Sequence, residues 1–178
     1  MSGHNKWSKI KHKKAGTDAA KSKVFSKMAK LISTASREAR GDVNSPTLRA
    51  AIEKAREFNM PKENIERAVK KGAGIGTEAF EAITYEAYGP GGSALIIEAL
   101  TENRNKAAQE IKHILTNNGF ELATPGSALW AFKKELTTNN WQPTTTVQIS
   151  TLDEVILEKL IEELLENDEV QDIYTNAD

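Results

Sequence analysis

"AITYEAYGPGGSALIIEAL", residues 82–100, holds two runs of strand-forming residues on either side of "GPGG". Isoleucine, tyrosine and threonine favour a pleated surface, and a glycine-proline cluster between two such runs marks a tight turn. The stretch therefore predicts a β-hairpin. Everything upstream of it has a different period, so the chain divides here into a helical part and a part built on a sheet.

Upstream, between Thr17 and Arg40, Val24, Phe25, Met28, Leu31, Ile32 and Ala35 recur at three- and four-residue steps, the pattern of an amphipathic helix. At 100° per residue, Lys23, Lys27, Lys30 and Arg37 fall together on the opposite side, which predicts an outward basic stripe. Ser45 as N-cap and Pro46 in the first turn announce a second helix, with Leu48, Ile52 and Ala55 at core spacing. A third starts near Pro61, carries Ile65, Ala68 and Val69, and stops at Gly72. Residues 1–72 thus read as a small helical domain with a basic entry segment. "GAGIGTE", residues 72–78, follows a helix and not a strand, so it is a helix cap and linker, not a dinucleotide-binding loop. The linker is placed at 73–81.

Downstream of the hairpin, a helix is expected from about Asn105 to Asn117, with Ala108, Ile111 and Leu115 inward and Gly119 closing it. A short strand at 128–132, the polar connection "KKELTTNNWQP" at 133–143 and a strand at 144–150 follow. Thr151 and Glu154 make a capping-box pattern ahead of a helix carrying Val155, Ile156, Leu160, Ile161, Leu164 and Leu165, and "EVQDIY" reads as the last strand. The fold class is α+β: a helical bundle, then residues 82–178 with helices packed on one face of a sheet that contains an antiparallel hairpin.

At 178 residues the chain suits one or two domains, and its balance of apolar and charged residues is that of a globular protein. The absence of cysteine excludes disulfides and thiolate chemistry and fits a cytoplasmic location. The longest apolar run, "ALIIEAL", is interrupted by Glu98 and is far too short to span a bilayer, and the lysine-rich start lacks the apolar core of a signal peptide. No membrane association is expected.

The net charge of −1 conceals a strongly bipolar chain. Residues 1–72 carry 18 Lys+Arg against 7 Asp+Glu, a balance of +11, whereas 73–178 carry 6 against 18, a balance of −12. A concentrated positive field attracts polyanions by releasing their counterions, and acids elsewhere do not cancel it locally. The charge is densest in "GHNKWSKIKHKK", residues 3–14. There Lys6, Lys9, Lys11, Lys13 and Lys14, with His12 among them, supply charge for phosphates, and Trp7 offers a face for stacking. With Lys21, Lys23, Lys27 and Lys30 of the first helix, they form the candidate nucleic-acid-binding set. The competing account of Trp7, a core anchor acting with Ile10, still leaves the lysines exposed. Lysine reads charge better than base edges, so the pattern does not imply sequence-specific readout.

Catalytic constellations are not evident. His4, His12 and His113 lack metal-ligand spacing and a nearby acid cluster, so neither a metal nor another cofactor is implied. "GPGG" is followed by Ser93 and not by the Lys-Ser/Thr of a phosphate-binding loop. Glu154, Glu158, Glu162 and Glu166 form a repulsive i, i+4 row, the mark of a solvated face. A binding protein is favoured over an enzyme, and no small-molecule substrate is evident. A weaker anion contact is expected at Arg104 and Lys106, where a helix start would offer free N–H groups close to the "GPGG" turn.

"GHNKWSKIKHKK", "DAAKSKVFSKMAKLI", "AYGPGG" at 87–92, "ENRNK" at 102–106 and "LATPGS" at 122–127 resemble the YebC/PmpR family. The resemblance runs to about Phe132 and resumes from "PTTTVQI" to "EVQDIYTNAD". It implies an N-terminal helical bundle, α+β domains and a cytosolic regulator of gene expression. Bacterial members are described as DNA-binding transcriptional regulators, a mitochondrial relative is a translational activator, and some bacterial members resemble ribosome-associated elongation factors. Members usually carry a further small α/β domain where this chain has only residues 133–143, which implies a short form. The expected partners are therefore DNA, RNA or the ribosome, the first two as alternatives at the same basic surface.

Overall fold

The computed structural model describes residues 17–74, 79–136 and 138–178. They divide into a helical unit ending at Glu81 and an α+β unit beginning at Ala82.

The helical unit contains α1 (Asp18–Glu38), α2 (Pro46–Glu57) and α3 (Lys62–Ala73). Thr17 caps α1 by accepting a hydrogen bond from the Ala20 N–H at 3.2 Å. Pro46 opens α2, where its missing N–H costs nothing. Asn59, at φ 57°, takes the left-handed turn that ends α2 and lets the Met60 N–H reach the Ala55 carbonyl at 3.0 Å. The core holds the expected Met28, Ile32, Ala35, Leu48, Ala55, Ile65 and Ala68 and adds Ala51 and Met60, whereas the expected Val24, Phe25, Leu31, Ile52 and Val69 are only partly buried at its edge.

The α+β unit is a three-stranded sheet in the order β1-β2-β5, comprising β1 (Glu81–Tyr88), β2 (Ala94–Thr101) and β5 (Val170–Thr175). β1 and β2 are joined through Gly89, a short 3-10 turn at Pro90–Gly92 and Ser93, too few residues for a parallel crossover. β2 pairs antiparallel with β5, with Ile96 opposite Tyr174 and Ile97 opposite Ile173, and the register shifts between Glu98 and Ala99. β2 is the central strand, which is why its residues are apolar on both faces. Leu95, Ile97 and Ala99 point into the main core with α4 (Arg104–Asn117) and α5 (Thr151–Glu166), against Ile111, Leu115, Leu157, Leu160 and Leu164. Ala94 and Ile96 point the other way, against Ala128, Ala131, Phe132 and Tyr174.

That second face is covered by a small antiparallel pair, β3 (Phe132–Lys134) and β4 (Trp141–Pro143). The Trp141 indole N–H donates to the Glu98 carboxylate at 2.9 Å, Lys134 approaches the same carboxylate at 3.8 Å, and the Tyr174 hydroxyl donates to the Asn140 side chain at 3.1 Å. The polar connection of the sequence reading is therefore itself a hairpin packed on the sheet.

Several local expectations are corrected. The strand placed at 128–132 is a 3-10 turn, Leu129–Ala131, leading into β3. No strand runs through 144–150: Val147 makes one isolated parallel bridge to Ala177, and Asn176 holds the segment by donating to the Thr145 carbonyl while accepting from the Ala94 N–H. Two backbone bonds, from Val147 N–H to the Asn176 carbonyl and from Asp178 N–H to the Val147 carbonyl, and these side-chain bonds stand in place of a full ladder. In α4 the fully buried alanine is Ala107, one position before the expected Ala108. α5 is capped by Ser150 and not Thr151, through its 3.1 Å bond from the Asp153 N–H. Its inward face includes Leu157, whereas Val155 and Ile156 are exposed.

Glu86, on β1, is 4% exposed and accepts from the Gly126, Ala128 and Leu129 N–H groups at 2.6, 2.7 and 3.0 Å. Three backbone donors thus satisfy the carboxylate oxygens and fix the "LATPGS" loop against the sheet. Glu86→Ala strands three N–H groups without an acceptor, and urea denaturation is expected to show a loss of roughly 2–4 kcal/mol. Tyr174 offers a pH signature. Burial, and secondarily the Glu98 carboxylate, raise its phenol above the ordinary value of 10.0. The raised folded value means that the stabilising contribution is complete below about pH 10 and is lost as pH rises further. Thermal melts above that pH should fall more steeply for the wild type than for Tyr174→Phe.

Candidate nucleic-acid interface

The described part of the predicted basic surface lies on α1, and α3 packs beside it. Along α1, Ser22, Ser26, Ala29, Ser33 and Ser36 bring small side chains to the α3-facing side, and small residues allow two helices to approach closely. The approach ends at backbone contact. A Cβ placed on Gly72 of α3 would lie 2.2 Å from the Ser33 carbonyl oxygen, so only glycine fits. Ser33 donates to the Ala68 carbonyl at 3.1 Å and Ser36 to the Val69 carbonyl at 2.7 Å, which sews the two helices together along the seam.

The tight crossing leaves two adjoining hollows. One, of about 410 Å³, has Phe25, Met60 and Phe80 as its apolar surface and Lys30, Arg67 and Lys71 as its cations. The other, of about 370 Å³, shares Lys71 and Phe80 and adds Thr34, Arg37 and Glu38. Asn64, Arg67, Ala68 and Lys71 share one face of α3 by their i, i+3, i+4, i+7 spacing, and that face borders the larger hollow. The Lys30 ammonium stands 5.4 Å from the centre of the Phe80 ring, a cation–π contact. Four cations from two helices therefore follow one seam, with Glu38 the only acid lining it among the described residues.

The sequence-predicted residues distribute unevenly. Lys6, Trp7, Lys9, Lys11, His12, Lys13 and Lys14 lie outside the described residues. Lys21 is exposed and stands 3.9 Å from Asp18. The outward stripe on α1 is corrected: Lys27 is 8% exposed, Lys23 and Lys30 are half-buried, and only Arg37 is fully exposed. The helical wheel treats everything opposite the core as solvent, whereas Lys30 lines a hollow closed by residues from other segments. Arg67, Lys71 and Phe80 were missed. The i, i+4 spacing of Arg67 and Lys71 was a readable signal, but nothing local connects Phe80 to them.

Arg104 and Lys106 begin α4 in the other unit. Asn103 caps this helix through a 3.0 Å bond from the Lys106 N–H, and the Lys106 ammonium lies 3.4 Å from Glu169 and 3.9 Å from Glu110. The expected proximity of "GPGG" to this helix start does not occur, because the turn precedes β2 and the helix follows it, eight strand residues away. At ~3.3 Å per residue that separation is roughly 25 Å. His113 pairs with Asn117 at 3.0 Å.

Comparison with known proteins places the chain among its relatives. Residues 5–75 match the family model described as the TACO1/YebC protein N-terminal domain, and residues 80–137 match the one described as the TACO1/YebC second and third domain. The chain belongs to the TACO1/YebC family. A probable transcriptional regulatory protein of Fervidobacterium nodosum is 54% identical over 137 residues, covering 76% of this chain and 54% of that protein. The chain spans about half the length of this and other relatives that it matches. A probable transcriptional regulatory protein of Thermoanaerobacter pseudethanolicus is 38% identical over 239 aligned positions, covering all of this chain and 97% of that one, so 61 of those positions have no residue here. The crystal structure of a conserved hypothetical protein from Aquifex aeolicus superposes with a TM-score of 0.79 at 30% identity, over 90% of this chain and 91% of that one. TACO1/YebC relatives are thus named as regulators of gene expression, and the α+β architecture is theirs too. Among the described residues of this family member, no helix is long and apolar enough to cross a membrane.

The Ser33–Gly72 contact yields a stability test. Gly72→Ala gains helix propensity of about 1 kcal/mol but must push α3 off the α1 backbone, and the expected balance is a net loss of roughly 1–3 kcal/mol. Urea denaturation of the full chain, following helical signal, measures it.

Proposed function

We propose that this protein is a nucleic-acid-binding regulator of gene expression, acting on DNA as a transcriptional regulatory protein through the phosphate backbone. The observation that carries this reading is the run of Lys30, Arg67, Lys71 and Arg37 along the α1–α3 seam, in a half of the chain whose charge balance is +11. The names of the relatives support it. The sequence that precedes α1 adds Lys6, Lys9, Lys11, Lys13 and Lys14 to the positive charge of this half of the chain. Cations arranged this way bind by counterion release and position the protein without reading bases. No catalytic step is assigned to it.

A second reading, RNA or the ribosome as the target, draws on the character of the same residues. The seam presents lysines, arginines and serines around an aromatic hollow, and not an exposed helix bearing Arg, Asn and Gln at base-reading spacing. Such a surface recognises charge and unpaired strands as readily as a duplex groove.

Residues 133–143 stand as the short replacement for an inserted domain found in longer members. Their closure into a hairpin whose Trp141 binds Glu98 supports that reading, since the sheet needs no further cover at that position.

Binding measured from low to moderate salt should give a log–log slope of about −3 to −5, as expected for ~5 neutralised phosphates. Replacing Lys11, Lys13 and Lys14 by Ala should weaken all sequences alike and flatten the slope. Promoter fragments should exceed random DNA by less than ~10³-fold. Binding indifferent to salt defeats the proposal. Strong preference for one promoter with no protein comigrating with ribosomes in low-salt gradients selects DNA, and comigration abolished by the lysine changes selects the ribosome.

A further inference from the structure

We propose that the larger α1–α3 hollow is a pocket for one unpaired nucleotide of the bound strand, with the base against Phe80 and the flanking phosphates on Lys30, Arg67 and Lys71. This inference rests on the nucleic-acid reading above and adds to it a site and a ligand class.

Three properties of the hollow select this occupant. Its size, about 410 Å³, lies in the range of pockets for small ligands and accommodates one nucleotide, not a stacked base pair. Its surface combines an apolar floor of Phe25, Met60 and Phe80 with a rim of three cations, and only a ligand that is flat and apolar at one end and anionic at the other satisfies both. An apolar peptide would make no use of the Arg67 and Lys71 charges on the rim, and a free phosphate would leave the aromatic surface unused. Asn64, half-buried on the same face of α3, brings an amide that can both donate to and accept from a base edge.

Lys30 links the two halves of the pocket. Its ammonium rests over the Phe80 ring at 5.4 Å and is thereby held at the boundary between aromatic floor and basic rim, where the phosphate of a seated nucleotide would lie. The adjoining hollow continues the cationic track through Arg37 and offers the next phosphate a position. A paired base reaches such a pocket only after unstacking, which costs a few kcal/mol, least for a bulged or single-stranded nucleotide. The pocket therefore confers a preference for strands with unpaired bases. Stacking of this kind tolerates any base, so the preference is one of structure and not of sequence.

The test uses the full chain and four probes: an RNA duplex with a single 2-aminopurine bulge, its perfectly paired counterpart, and the same two in DNA. Wild-type protein should bind a bulged probe roughly tenfold more tightly than the paired one, the lower end of what one stacked base contributes, and should change the 2-aminopurine emission. Phe80→Leu, which keeps the apolar filling but removes the ring, should bring that ratio close to one, with the larger loss on the bulged probe. Phe80→Trp should preserve the ratio. Arg67→Ala with Lys71→Ala, both exposed positions, should weaken the bulged probe more than the paired one. A bulge preference in RNA alone, in DNA alone or in both supports the pocket and identifies the strand it takes. Equal, salt-sensitive binding of bulged and paired probes by the wild type, or a ratio unmoved by Phe80→Leu, overturns the pocket and leaves the proposed function standing. Failure to bind any probe overturns both.

Discussion

The helical unit depends on one backbone contact. Gly72 lies against the Ser33 carbonyl with no room for a methyl group, and the serine hydroxyls on either side convert that closeness into two hydrogen bonds to α3 carbonyls. Close approach brings dispersion and polar satisfaction together along the seam of the two helices. It also has an electrostatic result. Drawing α1 and α3 together sets Lys30 and Arg37 beside Arg67 and Lys71, although like charges repel, and the repulsion is tolerated because the side chains emerge at the edges of hollows open to water and counterions.

The α+β unit solves a different problem. A central strand that is apolar on both faces needs two covers, and β2 receives the α4–α5 layer on one side and the β3–β4 hairpin with its preceding 3-10 turn on the other. The second cover is small, and polar bonds at its edge hold it: Trp141 and Lys134 on Glu98, Tyr174 on Asn140, and Glu86 on the loop that leads into it. The buried Glu86 and the half-buried Glu98 are structural, each satisfied by donors around it. The same economy appears at Lys106, whose charge faces Glu169 and Glu110 and serves the fold of an acidic unit.

Much of this was legible in the sequence, for identifiable reasons. The three helices of the bundle, the β1–β2 hairpin, α4, α5 and the last strand all carry strong periodicity or punctuation by proline and glycine, and those signals are local. Core positions followed from the same period, with Leu48, Ile65, Ile111 and Leu160 buried as spacing requires. The errors cluster where local signals are weak: the Thr-rich segment after Pro143 looks like a strand but is tied down by Asn176, a residue distant in sequence. The capping site of α5 shifted by one because Ser150 and Thr151 are both competent caps, and only the direction of the incoming chain chooses between them.

The sequence by itself determined the bipolar charge, the change of period at residue 82, the fold class and the family, because each is a property of composition or of neighbours along the chain. The tertiary structure alone decided which cations share a surface. Lys27 is buried and Lys30 sits over an aromatic ring, although a helical wheel assigns them equal standing. Arg67, Lys71 and Phe80 join them only because Gly72 permits α3 to close on α1, and a missing side chain exerts that influence through space, where no pattern of neighbours records it.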